Sequence, residues 1–133
     1  MKFAPALSVF VLLAVVGCSG GVQKDASYGT VVALKDAAVA AGYSCPAWQQ
    51  TNKRGAEEGF CRPDKGGSFD QFVTFANEAD RDNGVKQTLM WGSVMTPQWV
   101  VLQGPNWLIR SDNGDDLTKL QRKLGGTVVR VPK

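Results

Sequence analysis

Histidine is missing from this chain altogether. The commonest general base and the commonest metal ligand are therefore unavailable to it. No phosphate-cradling glycine loop, no S-x-x-K pair and no C-x-x-C redox motif is present. Charge of one sign is also missing as a feature. Fifteen Lys and Arg face 12 Asp and Glu for a net of +3, with no block of like charge, which points away from nucleic acid and from an electrostatic membrane patch. Carboxylates alone could still act as acid and base, and Glu57, Glu58, Asp64 and Asp70 lie near turns, but their spacing selects no pair. The expectation is a non-enzymatic protein with no cofactor.

The first apolar run is short. Phe3 to Val16 follows Lys2 and is interrupted only by Pro5 and Ser8. That length suits the middle of a secretory signal and falls below the roughly 20 residues of a spanning helix. The run ends in Val15-Val16-Gly17-Cys18, which resembles a bacterial lipobox, with Val15 where Leu is commoner. The resemblance implies that residues 1–17 are a lipoprotein signal peptide that is removed, and that Cys18 carries a diacylglycerol thioether. Two acyl chains, at about 0.8 kcal/mol per buried methylene, anchor stably where one does not. Ser19-Gly20-Gly21 then opens an expected flexible tether over 18–26. Loss of Lys2 with the signal lowers the formal net charge from +3 to +2.

Only three cysteines are present. With Cys18 assigned to lipid, Cys45 and Cys61 remain. Two cysteines in an exported domain most simply form one disulfide, and two buried thiols or a metal pair are the alternatives. Without histidine a zinc site would be short of its usual ligands. Closing this loop would contribute roughly 3 kcal/mol in the chain-entropy model.

The remainder, 27–133, has the length of one domain. Val31, Leu34, Ala38 and Ala41 repeat at helical spacing and predict a first helix over 28–41, ended by Gly42. Extended segments follow near 47–52 and 58–62, separated by the turn Asn52-Lys53-Arg54-Gly55. Asp64-Lys65-Gly66-Gly67 is a second turn signal. A third strand near 69–75 puts Phe69, Val73 and Phe75 on one face and Phe72 on the other. Asn77 starts a second helix over 78–91, with Gly84 as its weak point. Gln98–Gln103 and Trp107–Arg110 read as a hairpin around Gly104-Pro105-Asn106. Leu117, Leu120 and Leu124 mark a third helix that Gly125-Gly126 ends. Thr127–Val131 reads as a short edge strand or a tail. The predicted architecture is α+β and two-layered, in the order α-βββ-α-ββ-α. About five antiparallel strands carry three helices on one face.

Three readings concern binding. Asp112-Asn113-Gly114-Asp115-Asp116 could offer oxygen ligands to calcium, but it lacks EF-hand spacing and reads better as a turn feeding acidic residues into the first turn of a helix. Asp80-Arg81-Asp82-Asn83-Gly84 carries the same discount. Of the four tryptophans Trp48, Trp91, Trp99 and Trp107, the last two lie on paired strands, and the sheet face left open by the helices makes Trp99 and Trp107 the candidate binding surface.

The lipobox, "YGTVVALKDAAVAAGYSC", a second cysteine before a Phe-rich strand, and "VVLQGPNWLI" before an amphipathic helix occur together. The set resembles the small exported lipoproteins of actinobacteria and their phages. The resemblance implies no catalytic residues. It implies a domain tethered through Cys18 to the outer face of the cytoplasmic membrane, contacting a protein or another envelope component. Some phage-borne lipoproteins of this size block infection by related phages, and superinfection exclusion is the alternative function.

Overall fold

The computed structural model describes residues 22–53, 55–62 and 69–131. The expected signal segment, Cys18 and the expected turn at Asp64–Gly67 lie outside the described residues. The elements run α1 (Val31–Ala40), β1 (Ala47–Lys53), β2 (Ala56–Arg62), β3 (Asp70–Phe75), α2 (Glu78–Gly92), β4 (Val100–Gln103), β5 (Trp107–Ser111), α3 (Gly114–Leu124) and β6 (Thr127–Arg130). The fold is α+β, and every pair of neighbouring strands is antiparallel in the order β1-β2-β3-β5-β4-β6. The C-terminal segment is a strand, bonded to β4 at the sheet edge.

Each helix begins where a side chain replaces the missing backbone acceptor. Thr30 accepts from the Ala33 amide, Asn77 from that of Asp80, and Asn113 from those of Asp115 and Asp116. Asn113 therefore uses its side-chain oxygen as a helix cap, with Asp115 and Asp116 at the favourable end of the α3 dipole. Among the described residues, no three His, Cys, Asp or Glu cluster as metal ligands. None of the described helices is long and apolar enough to cross a membrane.

The strand period of two sorts the core into two halves. Phe72, Ile109, Leu102 and Trp107 face one way and pack against Val31, Leu34 and Ala38 of α1 and Leu117, Leu120 and Leu124 of α3. Val73, Leu108 and Val101 face the other way and pack against Val85 and Leu89 of α2. The three helices thus do not share one face, and the sheet is the middle of three layers. The reason lies in β3, β4 and β5, which are apolar on both sides and must be covered twice. A single layer of helices would leave Val73, Val101 and Leu108 in water.

Two further features differ from or complete the sequence reading. Within the expected tether, the described residues 22–26 contact the domain. Val22 packs on the core, the Asp25 amide donates to the Leu124 carbonyl (2.9 Å), and Trp107 Nε1 donates to the Ala26 carbonyl (2.8 Å). The predicted disulfide is formed: Cys45, just beyond α1, is bonded to Cys61 of β2 with their Cα atoms 4.9 Å apart.

Candidate functional site

The α2 face of the sheet is only partly covered. Helix α2 lies over β3, β5 and β4 and leaves β2 beside it uncovered. Two glycines set how closely it lies. A Cβ on Gly84 would come within 2.4 Å of the Phe75 ring, and one on Gly92 within 2.6 Å of Trp99 Cβ. Seated this way, α2 forms one wall of a cleft of about 810 Å³ whose floor is the sheet. Asp80, Asn83, Gln87, Thr88 and Trp91 repeat at helical spacing along that wall. Val94 and Met95 close one end from the loop after the helix.

A polar row crosses the floor, with one residue from each of four adjacent strands, and ends on Trp99. Thr51 Oγ1 of β1 donates to Glu58 Oε1 of β2 (3.0 Å). Gln71 Nε2 of β3 donates to Glu58 Oε2 (2.6 Å). Arg110 Nε of β5 donates to Gln71 Oε1 (3.2 Å). The Arg110 guanidinium carbon lies 3.8 Å from the ring centroid of Trp99, which precedes β4. Register produces the row: Thr51 is opposite Glu58 and Gln71 is opposite Arg110, all projecting to the α2 face. Burial is deep, with Glu58 at 4% and Arg110 at 6% exposure. Burial pulls the Arg110 guanidinium below its ordinary value, while Asp70, Asp112 and Glu58 pull it the other way. The group stays a cation, held among carboxylates.

Arg110 is positioned by Nε and by its stack on Trp99, and neither uses its terminal nitrogens. Among the described residues, Nη1 and Nη2 make no hydrogen bond, and Arg110 lines the cleft. The side-chain amides of Asn83 and Gln87 on the opposite wall also have no hydrogen-bond partner among the described residues. Arg110 and the amides of Asn83 and Gln87 thus line the same cleft as the apolar Val73, Phe75 and Leu108. The arrangement can hold a ligand in a fixed orientation.

The expected tryptophan surface is corrected in one half. Trp107 is fully buried on the α1–α3 face, in edge contact with Tyr28. It belongs to the core because β5 turns it away from the cleft. Trp99 does face the cleft, serving as the plate beneath Arg110. Trp91, singled out only as one of four tryptophans, is the exposed one, at 66%. Trp48 packs edge-on against Phe72, with ring centroids 5.7 Å apart. Glu58 was legible only as a carboxylate near a turn. The signal missed in the sequence is that Glu58, Gln71 and Arg110 occupy the same face of three adjacent strands.

A second buried polar group lies on the α1–α3 face. The Tyr43 hydroxyl donates to Asp70 Oδ2. Burial raises both side chains above their ordinary values, and the hydrogen bonds from Tyr43 and Ser111 partly offset the rise at Asp70. The Tyr43–Asp70 hydrogen bond ties the α1 exit to β3.

No protein-family model, no curated protein and no solved structure matches the chain.

Proposed function

We propose that the chain is an exported lipoprotein, anchored through acylated Cys18 at the outer face of the cytoplasmic membrane. It acts there as a non-enzymatic binding module whose contact site is the cleft between α2 and the sheet. The carrying observation is Arg110, buried to 6% exposure, lining the cleft and making no hydrogen bond through its two terminal nitrogens among the described residues. Donors that line a cleft without a protein partner are available to an acceptor on a ligand. Among the described lining residues the titratable groups are Glu58, Asp80 and Arg110, which make no nucleophile–base pair, and the sequence has no histidine to relay a proton. Binding is the chemistry these groups offer. The Val15-Val16-Gly17-Cys18 motif and the Cys45–Cys61 bridge support export to an oxidising compartment.

The experiment is photo-crosslinking on intact cells expressing the full chain, with a benzophenone side chain placed at Gln87 in the cleft wall or at Lys119, exposed on α3. An envelope component captured from position 87 and not from 119 is the expected result. No adduct at 87, or equal adducts at both positions, overturns the assignment of the site.

A further inference from the structure

Resting on the cleft reading above, we propose that the ligand is a neutral saccharide, stacked on Trp91 and hydrogen-bonded by Arg110, Asn83 and Gln87. The charge of Arg110 is already engaged within the protein. Arg110 is the one cation among the described lining residues, and it shares the cleft with Glu58 and Asp80. Asp70 and Asp112 act on it from behind. With Glu58, Asp70 and Asp112 all acting on its guanidinium, Arg110 offers a ligand hydrogen-bond donors more than surplus positive charge, which favours an uncharged ligand over an anion.

The wall chemistry argues against a purely apolar ligand. An aliphatic chain laid along α2 would cover Asn83, Gln87 and Thr88 without returning a single hydrogen bond. A polyhydroxyl ligand answers each of them, because every hydroxyl both donates and accepts. Amide groups and the terminal fork of Arg110 are planar and offer two adjacent polar atoms, which matches neighbouring hydroxyls on a sugar ring. The apolar component is met as well. One face of a sugar ring carries only C–H groups, and the negative face of an exposed indole favours them. Trp91 presents such an indole at the cleft, 66% exposed. The wall from Asp80 to Trp91 is three helical turns, about 16 Å along the axis, so the cleft accommodates an oligosaccharide lying along α2.

The test is a glycan array bearing neutral and anionic oligosaccharides, probed with the detergent-solubilised full-length protein. Calorimetry on the best neutral hit follows. Expected is selective binding to neutral glycans, with a Kd of about 0.01–1 mM. Trp91→Ala should weaken it at least tenfold and Gln87→Ala several-fold, with Lys119→Ala unchanged. Both cleft side chains are exposed, so these variants should fold, and unaltered circular dichroism checks it. Binding confined to anionic glycans, no binding to any glycan, or neutral binding that Trp91→Ala leaves intact each overturns the saccharide assignment. So does saturable binding of decanoate that Trp91→Ala abolishes while glycans fail. A crosslink at Gln87 in those cases keeps the cleft as the contact site, and only loss of that crosslink removes the site itself.

Discussion

The guanidinium carbon of Arg110 lies 3.8 Å from the ring centroid of Trp99, and this stack joins the polar row of the sheet to the seat of helix α2. The same indole lies beneath Gly92, so one side chain fixes both the cation and the end of the helix. Cation–π contacts at desolvated positions contribute about 2 kcal/mol. Arg110→Met keeps the stem and removes the stack together with the bond to Gln71. It should lower unfolding free energy by about 2 kcal/mol in urea titration. Trp99→Leu should cost clearly less in the Arg110→Met background than in the parent chain, because the two residues share one interaction. Additive losses would show that the stack contributes nothing.

Gly84 tests the close approach of α2. Alanine there gains about 1 kcal/mol of helix propensity. Its Cβ, however, would stand 2.4 Å from Phe75 Cζ, on the ring that packs beneath the helix. Gly84→Ala should therefore destabilise by about 1–3 kcal/mol despite the propensity gain. Adding Phe75→Leu should recover part of the loss. A more stable Gly84→Ala protein, read from its urea midpoint, would refute this packing.

The Cys45–Cys61 bridge closes a separation of 16 residues and ties the α1 exit to β2. The paired Cys45→Ser and Cys61→Ser variant should lose about 3 kcal/mol, measured as the shift in urea midpoint at unchanged slope. Reductant should shift the parent in the same direction and leave the variant unmoved.

Tyr43 makes alkaline stability diagnostic. Its folded-state pKa is raised, first by burial and then by Asp70, above the ordinary value of 10.0 reached on unfolding. A raised pKa means that the folded form keeps a proton the unfolded form releases. The contribution is intact below pH 10.0 and is lost as pH climbs beyond it. Tyr28, raised by burial alone, adds a fall of its own, so the comparison must be made against Tyr43→Phe. That variant should be less stable at neutral pH and show a shallower decline between about pH 10 and 12. Parallel curves would remove Tyr43 from the account.

Much of the fold was legible because local chemistry and pattern agreed. Asn77 and the leucine stripe of α3 located their helices, and the alternation of Phe72 with Val73 assigned the two faces of β3. The layer count was not legible. Helix α2 shows only Val85 and Leu89 as its apolar contribution to that half of the core, so periodicity gives little sign that it covers a sheet face. Its adhesion comes from glycines that let Phe75 and Trp99 approach, and in one dimension Gly84 reads as a defect. The site was hidden for a related reason. Arg110 ends an apolar strand and Gln71 interrupts another, and each alone looks like ordinary edge polarity. Only the β3–β5 pairing, between strands separated in sequence by α2 and β4, sets them opposite one another.

The central claim is an acylated, exported chain whose domain works at the membrane surface. Intact mass measurement of the protein extracted from its native membranes tests it most directly. The account predicts a polypeptide whose N-terminal residue is Cys18 and which carries a diacylglyceryl group with its fatty acids. A polypeptide that keeps residues 1–17 and carries no lipid, recovered from cytosol, would contradict it.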